Sequence, residues 1–291
     1  MKNLLVYKAN EVIEAGYKLT LNELRVVLAC IAQVNSSEEL LETDEFELSA
    51  KDFAAIFEVS QDESYRALID VTESLFNRYV VIENPDSLRP HPKKAKRLRT
   101  RWISGIRYYP DEGGLSLRFA QDMLPYLSGL KNAFTRYRLE HVGRMTSIYA
   151  MRLYELLAQW QSVGKREVNI EWLKQQFEIA DQYPNMNDFK KRVLDPAVSD
   201  INEYSNFNVV WEQRKTGRRV THLTFTFAEK KPEKLAKLKQ KIKATPQTPE
   251  KSARKIDNVE YFADLRKKHG DKIGDAVPQD IVDILKAQGR W

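Results

Sequence analysis

Basic side chains gather at two places in the stretch between residues 184 and 227. They are Lys190, Lys191 and Arg192 in one group, and Arg214, Lys215, Arg218 and Arg219 in the other. Each cation that neutralises a phosphate releases condensed counterions, so several such contacts give strong, salt-sensitive binding that ignores sequence. Arginine can also donate two hydrogen bonds to a guanine in the major groove. The two groups predict contact with a nucleic acid, and Arg192 is the best candidate for reading a base.

The first basic group opens a predicted helix over residues 187–204. Its apolar residues recur at helical spacing and predict the buried face: Val193, Leu194, Ala197, Val198, Ile201 and Tyr204. This spacing keeps its phase through Pro196, so we expect the helix to continue past that proline, with a kink. The opposite face presents the candidate groove contacts, which are Asp188, Lys191, Arg192, Asp195 and Ser199. Because Lys190 is in phase with the buried face, we expect it to reach a phosphate rather than a base.

The second basic group lies at the tip of a predicted β-hairpin. Its strands are expected over residues 208–214 and 219–227, with a turn at 215–218. A helix that can enter a DNA groove, followed by a hairpin with a cationic tip, is typical of a winged helix. The alternative is an ordinary solvated helix face beside a charged turn.

A similar unit is predicted earlier in the chain. A capping box at Thr20 opens a helix over residues 21–34. A short helix over 52–57, a turn at 59–62 and a helix over 63–79 then indicate a helix-turn-helix. The predicted buried face of the last helix consists of Tyr65, Leu68, Ile69, Thr72, Leu75, Phe76 and Tyr79. Its outward face is acidic, with Arg66 as its main cation.

This first unit is also expected to end in a wing, and the wing is basic. Strands are predicted from residue 80, over 102–109 and over 114–119, and a cation-rich run at 93–101 is assigned to the wing. The cations proposed to contact the DNA backbone there are Lys93, Lys94, Lys96 and Arg97. The alternative for this run is a mobile charged loop. Because carboxylates repel phosphates, we expect the second unit to read sequence and the first to add electrostatics or a protein contact.

The two units repeat each other. A shift of 120 positions places Phe57-Glu58-Val59 on Phe177-Glu178-Ile179, and a shift of about 128 brings residues 79–82 near 207–210. The predicted fold class is α+β, with two tandem winged-helix domains related by internal duplication and a basic C-terminal tail. The domains are predicted at 1–130, for dimerisation and backbone contacts, and at 131–228, for sequence reading; the tail covers 229–291.

The N-terminus of a helix predicted from Thr146 or Ser147 to Trp160 is a further candidate anion site. Arg144 lies beside Thr146 and Ser147, and the unpaired amides of a helix N-terminus together with a hydroxyl suit a phosphate. A plain helix cap explains the same residues equally well.

Several classes of function have no support in the sequence. The four histidines have no metal-ligand spacing, no glycine-rich phosphate loop occurs, and the one cysteine, Cys30, lies in an apolar helix. We therefore expect no enzyme, no cofactor and no metal. The chain has no signal peptide or apolar span of about 20 residues, so we expect a cytoplasmic protein without a membrane partner. A net charge of +6 favours a polyanionic partner.

Four segments resemble the initiator replication proteins of iteron-bearing, theta-replicating bacterial plasmids. The matching pieces, which occur in order across residues 5–228, are 17–25, then 52–54 with Tyr65 and 75–78, then 145–156, and finally 189–197 with Ile201 and Asn202. The resemblance implies two winged-helix domains, binding of monomers to repeated double-stranded origin sites, and opening of an AT-rich segment. It also implies a monomer–dimer equilibrium, with dimers repressing their own gene, and a host initiator protein and replicative helicase as partners.

Two other functions stay open at this point. A dimeric transcriptional repressor could share the fold without initiating replication. A structural protein with a charged docking surface could share the composition without binding DNA.

Overall fold

The computed structural model of the chain describes residues 4–85, 95–217, 219–230 and 286. The predicted contacts Lys93, Lys94 and Arg218 lie outside the described residues. So does the predicted basic tail from residue 231 onwards, apart from Lys286.

The first unit begins with a short arm and ends in a β-hairpin. Its elements are β1 (Leu5–Ala9), α1 (Asn10–Ile13), β2 (Gly16–Tyr17), α2 (Leu21–Ile31), β3 (Phe46–Ser49), α3 (Ala50–Phe57), α4 (Gln61–Ser74), β4 (Tyr79–Glu83), β5 (Arg97–Arg101), β6 (Ile103–Tyr109), β7 (Gly114–Phe119) and α5 (Leu124–Leu127). The capping box predicted at Thr20 is present: its hydroxyl accepts the Glu23 amide and the Glu23 carboxylate accepts the Thr20 amide.

The second unit follows the same plan with longer wing strands. Its elements, including the connection, are β8 (Phe134–Arg138), α6 (Glu140–Gly143), α7 (Ile148–Ala158), β9 (Lys165–Asn169), α8 (Ile170–Gln176), α9 (Met186–Phe189), a π-helical turn (Lys190–Leu194), α10 (Asp195–Tyr204), β10 (Phe207–Thr216) and β11 (Arg219–Glu229). The predicted wing strands are confirmed and are slightly longer than expected, with Phe207, Ala228 and Glu229 added at the open end of the hairpin and Lys215 and Thr216 added at its tip.

The predicted duplication is visible in the sheets and in the caps. The orders β3-β7-β6 and β9-β11-β10 are equivalent, and both sheets are antiparallel. Ser49 and Asn169 each cap the helix that follows the first strand. Glu58 and Glu178 both end that helix in the left-handed region, with φ of 53° and 55°. The fold class of two winged-helix domains is therefore confirmed.

The second half of the proposed repeat alignment is wrong. The shift of 128 pairs β4 with β10, whereas β10 occupies the position of β6 beside the last strand of its sheet. β4 and β5 form a separate antiparallel sheet with β2 and are an insertion in the first unit. The described part of the basic run, residues 95–101, therefore belongs to the β4–β5 hairpin. The true first wing, β6–β7, has an acidic turn that carries Asp111 and Glu112.

The buried face predicted for α4 is also rotated by roughly a quarter of a turn. The residues that α4 buries are Ser64, Ala67, Leu68 and Val71, followed by Leu75. Tyr65, Ile69, Phe76 and Tyr79 are instead 39–47% exposed. Ser64 and Ala67 are small enough to let α4 pack closely, whereas a ranking by hydrophobicity favours the aromatic side. Tyr65 lies over Gly113 of the wing turn, where a Cβ atom would come within 2.3 Å of the ring.

The N-terminal arm packs against both units. β1 pairs antiparallel with β8, which immediately follows the predicted domain boundary at 130/131. One continuous buried core runs from Val6 through Trp102 to Phe225. The division at residue 130 stays a prediction.

Candidate nucleic-acid interface

The helix that carries Lys191 and Arg192 is anchored firmly in the second unit. The Asn185 side chain accepts the Asn187 amide and caps α9. Phe189, Val193 and Ile201 are each at most 1% exposed. Lys174 donates to the Tyr183 carbonyl oxygen at 2.9 Å and lies 5.2 Å from the centre of the Phe189 ring. The apolar face predicted from the sequence is confirmed except for Tyr204, which is partly exposed.

A π-helical turn over Lys190–Leu194 accommodates Pro196. The Asp195 amide donates to the Lys190 carbonyl oxygen, five residues back. In an α-helix the proline ring would meet the carbonyl of Arg192, and the wider turn relieves this contact. The helix thus continues past the proline, as predicted, and the adjustment falls on the segment that holds Lys191 and Arg192.

The predicted outward face is confirmed as accessible. Asp188, Lys191, Arg192, Asp195 and Ser199 are all exposed. Among the described residues, no carboxylate forms a salt bridge with Lys191 or Arg192. Both cations are therefore accessible to a DNA duplex.

Lys190 connects this helix to the wing. Its ammonium group lies 5.5 Å from the centre of the Trp211 ring on β10, within the range of a cation–π contact. The lysine is exposed, so its charge lies on the side of the helix that faces the wing.

The wing tip presents fewer free cations than the sequence indicates. Arg214 donates from Nε and Nη2 to both carboxylate oxygens of Glu167, at 2.9 and 3.0 Å. The β10–β11 register shifts between Arg214 and Lys215. Lys215 and Arg219 are exposed, and within the part of the chain that the structure describes neither forms a salt bridge. Gly217 has a φ of +62° and makes the turn that an L side chain would strain.

The phosphate site predicted at the start of α7 does not fit the structure. The Asp200 carboxylate accepts hydrogen bonds from the Thr146 amide and hydroxyl at 2.8 and 3.1 Å, and from the Ser147 amide at 3.2 Å. The Ser147 hydroxyl caps the helix through the Tyr149 amide. An aspartate on these donors repels a phosphate, so the plain cap explains Thr146 and Ser147. Arg144 is exposed, with its guanidinium 5.4 Å from the centre of the Tyr204 ring.

The cations of the first unit divide into accessible and paired groups. Arg66 and Lys96 are exposed. Arg97 pairs with Glu83 at 2.8 Å on the β4–β5 hairpin. Ser60 donates to Glu63 at the start of α4 and, with Arg66 nearby, lowers the pKa of that carboxyl, so this end of the helix is negative at neutral pH. The charge supports the expectation that α4 contributes little base reading.

Two arginines of β5 lie within the basic run predicted from the sequence but are not among the contacts named for it. The Arg99 guanidinium lies 3.9 Å over the Tyr79 ring, and Arg101 lies 4.5 Å from the centre of the Phe76 ring. Arg97, Arg99 and Arg101 recur at the strand period of two, which is the signal that could have placed them on one face. Arg99 and Arg101, together with the Phe76 and Tyr79 rings, line a groove of about 650 Å³.

Within the described ranges no cluster of three or more side chains suits a metal ion. No helix there combines the length and apolar character needed to cross a bilayer.

Comparison with known proteins places the chain in a family. Residues 5–158 match the model described as "Initiator Replication protein, WH1", and residues 169–227 match "Initiator Rep protein, WH2". A replication initiation protein from Escherichia coli is 31% identical over 233 residues, covering 77% of this chain and 70% of its own length. The PI protein from Escherichia coli is 28% identical over 253 residues, covering 78% and 83%.

A solved structure shares the fold. The crystal structure of the Pi initiator protein in complex with iteron DNA superposes with a TM-score of 0.67 at 24% identity, covering 79% of this chain and 99% of that one. Together with the two family matches, which account for most of the chain, these findings show that it belongs to the family of initiator replication proteins.

Proposed function

We propose that this chain binds repeated double-stranded DNA sites at a plasmid origin and starts replication there. The observation that carries the proposal is a pair of exposed cations, Lys191 and Arg192, on a firmly anchored helix beside the wing; neither forms a salt bridge with any described residue. Family membership and the initiator relatives support it. The Pi initiator, whose fold this chain shares, has been crystallised with iteron DNA.

In this proposal the second unit reads sequence. Arg192 donates two hydrogen bonds to a guanine, a contact that discriminates by roughly 1–3 kcal/mol against another base. Lys190, Lys191, Lys215 and Arg219 hold phosphates, and the Ser199 hydroxyl donates to a phosphate or a base edge. Arg214 contributes less because Glu167 offsets its charge.

The first unit adds affinity that does not depend on sequence. Arg66, Lys96 and the β5 arginines supply positive charge, while Glu63 and the acidic turn of the β6–β7 wing keep that wing away from phosphates. Arg144 lies between Glu58 of the first unit, 3.9 Å away, and the Tyr204 ring of the second, so its charge is partly offset. A self-association equilibrium through the first unit belongs to the same proposal.

The mechanism proposed is not enzymatic. Binding energy is used to bend or destabilise the neighbouring duplex, and the cost depends on the sequence that is deformed. A host initiator protein and a replicative helicase are then recruited to the opened segment. Repression of its own gene by dimers completes the proposal.

Selection from a random duplex pool provides the first test. The protein should enrich one sequence, and its affinity should fall steeply with salt. If about five phosphates are neutralised, affinity should drop by about 500-fold between 50 and 200 mM salt. An enriched pool with no common sequence, or a flat salt dependence, would contradict the proposal.

Permanganate probing separates initiation from simple repression. On a supercoiled plasmid carrying the selected sites beside an AT-rich segment, an initiator makes thymines in that segment reactive. Full site occupancy without reactive thymines would favour the repressor.

A further inference from the structure

Two buried arginines occupy the same position in the two winged helices. Arg25 is the fifth residue of α2 and Arg152 is the fifth residue of α7, and they are 7% and 2% exposed. Each guanidinium faces the phenylalanine at the end of the next helix of its own unit, with Arg25 5.3 Å from the Phe57 ring centre and Arg152 5.7 Å from that of Phe177.

Each arginine donates hydrogen bonds to backbone carbonyl oxygens of the other unit. Arg25 donates from Nη2 to the carbonyl oxygen of Met145 at 3.1 Å, and lies 3.5 Å from that of Gly143, in the segment that leads into α7. Arg152 donates to the carbonyl oxygens of Ala15 at 2.7 Å and Tyr17 at 3.1 Å, in the segment that leads into α2. The exchange is reciprocal, as in an interface between two copies related by a two-fold axis.

Charged groups surround this arrangement and tighten it. The Lys8 ammonium of β1 lies 2.6 Å from the Glu155 carboxylate of α7, and both side chains are fully buried. Arg166 of β9 donates to Glu14 at 2.6 Å. The Arg152 guanidinium also lies 3.5 Å from the centre of the Tyr17 ring. These contacts join the N-terminal arm to the second unit over more than 130 residues of sequence.

Buried charge pairs between two domains do not themselves read bases. A rigid connection does have a consequence for DNA, because two domains that bind one duplex must match its helical phase. One inserted base pair moves a contact by about 3.4 Å and turns it by about 35° around the axis. If the two domains cannot bind the same duplex at once, the extra affinity that comes from their linkage is lost.

We propose that Arg25 and Arg152 are positioning residues, which fix the two DNA-contacting surfaces at one spacing and phase. The inference rests on the proposed function, in that both units contact the same duplex. The arginines touch no DNA themselves and act by holding Lys191 and Arg192 at a fixed place relative to the cations of the first unit.

The test compares the wild type with Arg25→Lys and Arg152→Lys. Lysine keeps the charge but cannot form the forked hydrogen bonds or stack on the rings as a guanidinium does. Arg136→Lys, at an exposed position on β8, is the matched control. The probes are the duplex recovered by selection and copies with one base pair inserted at each successive position.

For the wild type, an insertion between the two contacted segments should cost about 100-fold in affinity. In the two variants this penalty should fall below about tenfold, because loosened domains adjust to the altered spacing. Arg136→Lys should behave as the wild type. An unchanged penalty in both variants, with weaker binding to every probe, would overturn the proposal.

A measurement without DNA keeps the inference separate from the proposed function. Spin labels at Glu73→Cys on α4 and Glu171→Cys on α8 report the distance between the units, because both positions are exposed. The distance distribution should be narrow in the wild type and broad in Arg152→Lys. Equal widths in folded proteins would show that Arg152 does not hold the two units at a fixed distance. Failure of the wild type to bind any duplex would refute only the proposed function.

Discussion

Replacing Lys8 by methionine should destabilise the protein far more than a surface change of the same kind. The substitution leaves the fully buried Glu155 carboxylate without its cation. Removing one partner of a buried ion pair typically costs about 3–5 kcal/mol. Here the carboxylate keeps a hydrogen bond from the Tyr137 hydroxyl at 2.5 Å and a longer one from Tyr17 at 3.5 Å, so we expect a loss of about 3 kcal/mol, the lower end of that range.

Urea unfolding followed by circular dichroism at pH 7 measures this loss. With a slope of about 3 kcal/mol per molar urea, the midpoint should fall by about 1 M. The double variant Lys8→Met with Glu155→Gln should recover about 2 kcal/mol of the loss, since no charge is then left unpaired. The matched surface control is Arg97→Met, whose partner Glu83 is 53% exposed; it should cost less than about 1 kcal/mol. A Lys8→Met loss as small as the control's would refute the reasoning.

Three further outcomes follow from individual side chains. Burial lowers the pKa of His141 below 6.5, so its contribution to stability is present above that pH and is lost as pH falls below it; wild type should therefore lose more unfolding free energy than His141→Gln between pH 7.5 and 5.5, and equal losses would contradict this. Burial raises the pKa of the Cys30 thiol far above its usual range, so thiol reagents at pH 8 should label it only as fast as the protein unfolds, and rapid labelling of the native state would be inconsistent. Lys215→Ala should reduce the slope of log affinity against log salt by about 0.9, whereas Arg214→Ala should reduce it by less because Glu167 already pairs with that arginine; equal changes would show that the pair opens on DNA.

Much of the fold follows from local patterns in the sequence. The capping box at Thr20 and the repeated Phe-Glu-aliphatic segments at 57–59 and 177–179 predict elements that the structure contains, because caps and helix ends depend on neighbouring residues. The apolar spacing through Pro196 likewise predicts a continuous helix, and the π-helical turn is the local adjustment that allows it.

The errors arise where partners distant in sequence decide the outcome. The amides of Thr146 and Ser147 bind Asp200, more than 50 residues away, so a cap and a phosphate site look alike in the sequence. Arg214 loses its free charge to Glu167 on β9, on the far side of β11 in the same sheet. The rotation of α4 depends on how closely Ser64 and Ala67 pack, which hydrophobicity alone does not predict. The buried exchange of Arg25 and Arg152 joins segments that no periodicity connects.

The Arg192→Ala variant tests the central claim most directly. Its affinity for the selected duplex should fall by about 5- to 150-fold, the value of a bidentate guanine contact. Its affinity for random duplex of the same length should fall only as much as the loss of one phosphate contact would cause. The Lys191→Ala variant, measured in parallel, gives the size of that loss. A larger loss on the selected duplex than on random DNA is the predicted result, and an equal loss on both would show that Arg192 does not read a base.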